Sequence, residues 1–162
     1  AVTHRAALLR LPRLMPVFAL TIIAGVAFGG EVGFLVGAMT MLTSNMIFGQ
    51  GPWTPWQMFA MGIIGFLAGV LFKKGWLRRT SASLAVLGAF TTVIIYGGIM
   101  NPAAAMMMSS ETLKWETILA CYVTGLPMDL IHGFGTVIFL MIAAEPMLEK
   151  MDRIKVKYGI AE

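Results

Sequence analysis

Asp129 and His132 stand three residues apart in the stretch GLPMDLIHGFG, Gly125 to Gly135, inside a long apolar run. On a helix that spacing puts a carboxylate and an imidazole on one face, close enough to touch. An ionisable pair at membrane depth is a functional-site candidate, and the chemistry it supports is proton transfer. A structural role competes with it: Pro127 frees a backbone carbonyl, and nearby polar side chains can serve the groups that the break exposes. As a metal site the pair lacks partners, since His4 is the only other histidine and the single cysteine, Cys121, offers no zinc spacing. No metal or cofactor is expected.

A second polar concentration is SNMIFGQGPWTPWQM, Ser44 to Met58, which sets Trp53 and Trp56 among Ser44, Asn45, Gln50 and Gln57. Two tryptophans alone suit an interfacial aromatic belt. The amides change the reading, because polar side chains near hydrocarbon are costly unless they are partnered or face a protein-lined cavity. Aromatics with a few amides suit an amphipathic small molecule. The same groups can also stitch helices together, and the residues by themselves leave both roles open.

The elements that position these groups follow from composition. Of 162 residues 58% are hydrophobic and 12% charged, and mean hydropathy is +0.81, which places the chain in a membrane. No Asp, Glu, Lys or Arg occurs from Val32 to Phe72, about twice the roughly 20 residues that one helix needs to cross hydrocarbon. The runs are apolar on every face rather than alternating, which excludes a barrel. The expected fold is all-α, a polytopic transmembrane bundle. Its crossings run from about Leu14 to Phe28, Val32 to Phe48, Trp56 to Phe72, Ser81 to Met100 and Glu116 to Met141, with turns at Gly29 to Glu31 and Gly49 to Pro55. The whole chain, 1–162, reads as one substrate-binding domain, with a helical bundle over 13–148 and a basic tail over 149–162.

Basic residues cluster in KKGWLRR (Lys73 to Arg79) and EKMDRIKVKYG (Glu149 to Gly159). Both flank apolar runs, as the positive-inside bias of cytoplasmic loops requires, and no stacking platform for nucleic acid accompanies them. Two crossings separate the clusters, so both lie in the cytoplasm together with the C-terminus. Arg10 and Arg13 then fall outside, an inconsistency that a further helix upstream of Ala1 removes by making six crossings. The loops at Gly49 to Pro55 and Asn101 to Lys114, with Leu9 to Pro16, share the external rim. Met106 to Met108 lies in one of these loops as a candidate lid.

Gly33 and Gly37, and Gly62, Gly65 and Gly69, have the spacing that lets helices approach closely, within the bundle or against another membrane subunit. No Walker A pattern, Rossmann fingerprint or nucleophile elbow is present. The chain therefore reads as non-catalytic and as lacking an engine of its own.

The segments IIAGVAFGGEVGFLVGAMTMLTSNMIFGQGPWTPWQM and GLPMDLIHGFGTVIFLMI resemble the substrate-binding S components of energy-coupling factor (ECF) vitamin transporters, nearest the subgroup with cobalamin-specific members. The resemblance spans about Ile22 to Tyr158. It implies a six-helix protein of the cytoplasmic membrane that captures a vitamin from outside, cobalamin or a related corrinoid. A transmembrane T component and two cytoplasmic ATPases would then drive toppling and release inside. Carried onto this chain, the ligand chamber comprises Asn45, Gln50, Trp53, Trp56, Gln57, Tyr96, Asn101 and Asp129. Gly33, Gly37 and Ala38 are the corresponding docking positions. Three alternatives stand beside this one: an S component for another vitamin such as riboflavin, a proton-coupled transporter using Asp129 and His132, and a structural membrane subunit.

Overall fold

A computed structural model describes residues 16–109 and 112–159. Within them every regular element is helical: α1 Val17–Phe28, α2 Gly30–Phe48, α3 Thr54–Lys73, α4 Ser81–Met108 and α5 Trp115–Lys157. The last four are long and apolar enough to cross a membrane, and α1 is a shorter apolar helix of 12 residues. The expected all-α polytopic bundle is the observed one. The expected start of the first crossing at Leu14 lies outside the described residues, as do His4, Arg10 and Arg13.

α1 forms the centre of the bundle. It packs against α2, α3, α4 and α5, and Ala19, Ile22 and Ile23 are wholly buried. Its residues are apolar around the whole circumference, as a helix enclosed by others must be. The chain then reverses at Gly29 alone, whose φ of 97° lies in the region that side chains with a Cβ avoid. The expected turn over Gly29 to Glu31 is therefore shorter than its motif. Gly30 already begins α2, and Glu31 sits in its first turn, where a carboxylate faces the positive end of the helix dipole.

Close contact between α2 and α3 explains the glycine stripe. A methyl group on Gly33 would collide with the Gly65 carbonyl, one on Gly65 with the Gly33 carbonyl, and one on Gly37 with the Met61 carbonyl. Gly33, Gly37 and Ala38 are all buried. Of the positions expected to dock a membrane partner, Gly33 and Gly37 thus pack against the α3 backbone within the bundle.

α4 departs from expectation in two ways. It continues past Met100 and Pro102 to Met108, so Asn101 and the Met106 to Met108 run lie in the helix rather than in an external loop. Pro102 has no N–H to offer the carbonyl four residues back. That carbonyl belongs to Gly98, and the Tyr122 hydroxyl of α5 donates to it at 3.2 Å. Earlier in α4, Thr91–Tyr96 forms a π-helical turn. Five consecutive β-branched residues, Thr91 to Ile95, crowd an ordinary helical turn there, and the Thr91 hydroxyl bonds back to the Leu87 carbonyl at 2.8 Å.

α5 runs unbroken through Pro127, where a local break was expected, and through Pro146. Its 43 residues span about 65 Å, well beyond a hydrocarbon core of about 30 Å. The helix continues past residue 148, so most of the basic segment is a helical extension docked on the bundle. Leu148 is buried, Asp152 meets Arg79 at 3.2 Å, and Lys155 donates to the Ala27 carbonyl.

Cys121 is the single thiol and is buried, so its reactivity reports unfolding. Gly33→Leu is expected to cost about 2 kcal/mol or more through overpacking against the α3 backbone. Gly98→Ala, where an added methyl meets open space, should change stability by no more than about 1 kcal/mol. Thermal unfolding in detergent, followed with a thiol-reactive dye, compares the two; equal losses would refute the close-contact account.

Candidate functional site

The end of the bundle where α2 passes to α3 gathers most of the polar side chains singled out above. Asn45 lies one turn before the end of α2 and Gln57 in the first turn of α3, so the short loop between the helices brings them face to face. The Asn45 amide donates to Gln57 Oε1 at 2.8 Å and to the Thr54 hydroxyl at 3.2 Å. Thr54 also accepts from the Gly51 backbone N–H at 3.3 Å, which ties the loop to the start of α3. Asn45 and Thr54 are buried, Gln57 half-buried.

Tyr96, at the end of the π-helical turn, stands within electrostatic reach of both Gln57 and Asp129. Its ring meets Phe18 of α1 edge-to-face, with centroids 4.9 Å apart. That geometry suits the ring quadrupoles and holds the tyrosine upright between α1 and α4. Between α4 and α5 the Asn101 amide donates to Asp129 Oδ2 at 3.0 Å, and both residues are buried. Two glycines make room for this bridge. A Cβ on Gly97 would stand 2.6 Å from Asp129 Oδ2, and one on Gly125 would collide with Asn101 Oδ1. Each polar side chain thus sits against a glycine of the opposite helix.

Asp129 and His132 share a helix face as their spacing requires, but the carboxylate's hydrogen bond goes to Asn101. His132 packs against Phe18 with centroids 5.7 Å apart, and its Nδ1 is buried with no hydrogen-bond partner among the described residues. The arrangement is a neutral-donor bridge to a carboxylate rather than a carboxylate–imidazole dyad.

Of the eight expected chamber residues, Asn45, Gln57 and Tyr96 form one cluster and Asn101 and Asp129 a second, with Tyr96 facing both. Gln50, Trp53 and Trp56 are on the exposed rim above them, the two tryptophans 40% and 38% exposed. The Trp53 ring lies over Gly51, folding the loop back on itself. Sequence reasoning missed Thr54, Phe18 and Tyr122. Thr54 sits in the quoted motif at the head of α3, where a hydroxyl commonly serves loop N–H groups, and its role was open to inference. Phe18 and Tyr122 carried no signal, because only the packing of α1 and α5 onto α4 gives them their partners.

This geometry coincides with a family match. A family model described as ECF-type riboflavin transporter, S component, matches residues 10–148. The chain belongs to this family. Membership makes it a substrate-binding component of a vitamin transporter, a multi-pass cell-membrane protein whose family implies a vitamin substrate and T and ATPase partners. The match supports the S-component assignment reached from the sequence and does not extend to the cobalamin-type subgroup named there. No solved structure matches the chain.

Asn101→Leu should destabilise the S component by about 1 to 2 kcal/mol, because it strands the buried Asp129 carboxylate. Adding Asp129→Leu should recover most of that loss, since removing both partners leaves nothing unpaired. The thiol-reactivity melt reads both variants; additive losses would mean the two side chains do not act as a unit.

Proposed function

We propose that the chain captures a vitamin at the end of the bundle rimmed by Gln50, Trp53 and Trp56, with Asn45, Gln57, Tyr96, Asn101 and Asp129 as the polar contacts beneath. The observation that carries this reading is that two hydrogen-bonded clusters, Asn45 with Thr54 and Gln57 and Asn101 with Asp129, lie within electrostatic reach of Tyr96, while Trp53 and Trp56 are partly exposed beside Thr54. Amides, a phenol and a carboxylate held in fixed orientations supply directional donors and acceptors, and the aromatic rim supplies a surface for a flat ring. Riboflavin has that chemistry, with an imide edge on a planar tricyclic ring, and the family description supports it as the substrate. A corrinoid is the second reading. It is favoured by the exposure of Gln50, Trp53 and Trp56 at this end of the bundle.

The rim faces outside and the basic clusters lie in the cytoplasm, as the positive-inside bias directs. Capture is passive. Import requires the T component and two ATPases, which take the loaded subunit through its inward release. The Asn101 bridge to Asp129 weighs against proton coupling through Asp129 and His132.

Titration of purified protein with riboflavin, cobalamin and cobinamide, read by tryptophan fluorescence and calorimetry, identifies the ligand. Saturable binding of riboflavin alone is expected; binding of a corrinoid alone would replace the first reading with the second. Trp53→Ala and Asn45→Ala should each weaken binding by about 1 kcal/mol or more, through lost aromatic burial or a lost hydrogen bond. Unchanged affinity would return them to scaffolding. In vesicles, uptake should need the partner subunits and ATP; accumulation by this chain alone under a pH gradient would contradict passive capture.

A further inference from the structure

At the opposite end of the bundle α1, α3 and α5 leave a recess of about 570 Å³. It is lined by Val26, Ala27, Phe28 and Phe72 together with Lys73, Arg79 and Lys155. Among the described residues the carboxylate paired with these cations is Asp152, 3.2 Å from Arg79 and 3.7 Å from Lys155. Three positive charges thus face one negative charge. Lys155 is anchored by its bond to the Ala27 carbonyl, while Lys73 and Arg79 remain exposed. Trp76, 70% exposed in the segment between α3 and α4, has Lys74 over its ring, as expected of an indole and an ammonium at the membrane–water boundary.

A recess between helices at the edge of a bilayer, lined by both cations and apolar side chains, matches an amphiphile with an anionic head and a hydrocarbon tail. A guanidinium binds phosphate oxygens in pairs, and lysines add point charge around it. We propose that this recess binds the phosphate headgroup of an anionic membrane lipid, with the glycerol and upper acyl chain against Val26 and Phe72. A soluble phosphate would engage the cations and leave the apolar side chains unused, so the lipid is the occupant that fits both kinds of lining residue. The site is separate from the vitamin chamber and does not depend on the identity of the vitamin.

The test uses purified protein in phosphatidylcholine nanodiscs with and without phosphatidylglycerol, lipid retention being read by native mass spectrometry. Selective retention of phosphatidylglycerol is expected, and Lys73→Gln with Arg79→Gln should lower its affinity by about tenfold or more. Lys150→Gln, an exposed cation outside the recess, should leave it unchanged. Should the double variant unfold, Lys73→Glu alone, at an exposed position, gives the same readout. Equal retention of phosphatidylcholine, or unchanged affinity in the folded variants, would overturn the proposal. So would inorganic phosphate or glycerol phosphate stabilising the lipid-free protein in detergent as strongly as phosphatidylglycerol does.

Discussion

Backbone contact between α2 and α3, reciprocal at Gly33 and Gly65, is the constraint from which the rest of the bundle follows. In lipid, apolar side chains gain nothing by leaving hydrocarbon for a protein interior, so helices must be held by van der Waals fit and a few polar bonds. Glycines supply the fit. With α2 and α3 at contact distance, α1 is folded back by Gly29 into the space they share with α4 and α5. Its central position then determines which residues of the other helices face inward. Phe18 meets Tyr96 and His132 only because α1 occupies that centre.

Polar bonds supply the second kind of hold, and here glycine acts as a space-maker. Asn101 and Asp129 meet within the bundle because Gly97 and Gly125 leave side-chain-sized gaps opposite them. Pro102 frees the Gly98 carbonyl one turn away, and Tyr122 occupies it. Together these features make the middle of α4 unusual: a π-helical turn, a proline, and two polar residues directed at neighbouring helices. π-helical turns recur at functional sites, where they re-aim side chains that a regular helix would point elsewhere. Tyr96 ends that turn and faces the groups of both polar clusters.

The two ends of the molecule divide its chemistry. One end offers amides, indoles, a phenol and the Asp129 carboxylate, with no cation among the contacts described. The other concentrates Lys73, Arg79 and Lys155 beside apolar side chains, which suits an anion at the membrane surface. Family membership assigns a vitamin-capture role to the protein as a whole, and the two ends of the bundle differ in the chemistry they present.

Much of this was legible in the residues alone. The charge-free stretch from Val32 to Phe72 and the high mean hydropathy required a helical membrane protein, because no other structure without a barrel's alternation satisfies its backbone in hydrocarbon. The amide and indole motif at Ser44 to Met58 called for partners, since polar groups at that depth must be satisfied. Sequence could not decide what partners them. Spacing along one helix put Asp129 beside His132, yet Asn101, 28 positions away, takes the carboxylate. The same glycine pattern serves equally for docking outward and packing inward, and the fold turned Gly33 and Gly37 inward. Periodicity fixes which residues share a face of one helix. Which face meets which neighbour is decided when the helices pack, because that choice rests on close contacts between segments far apart in the chain.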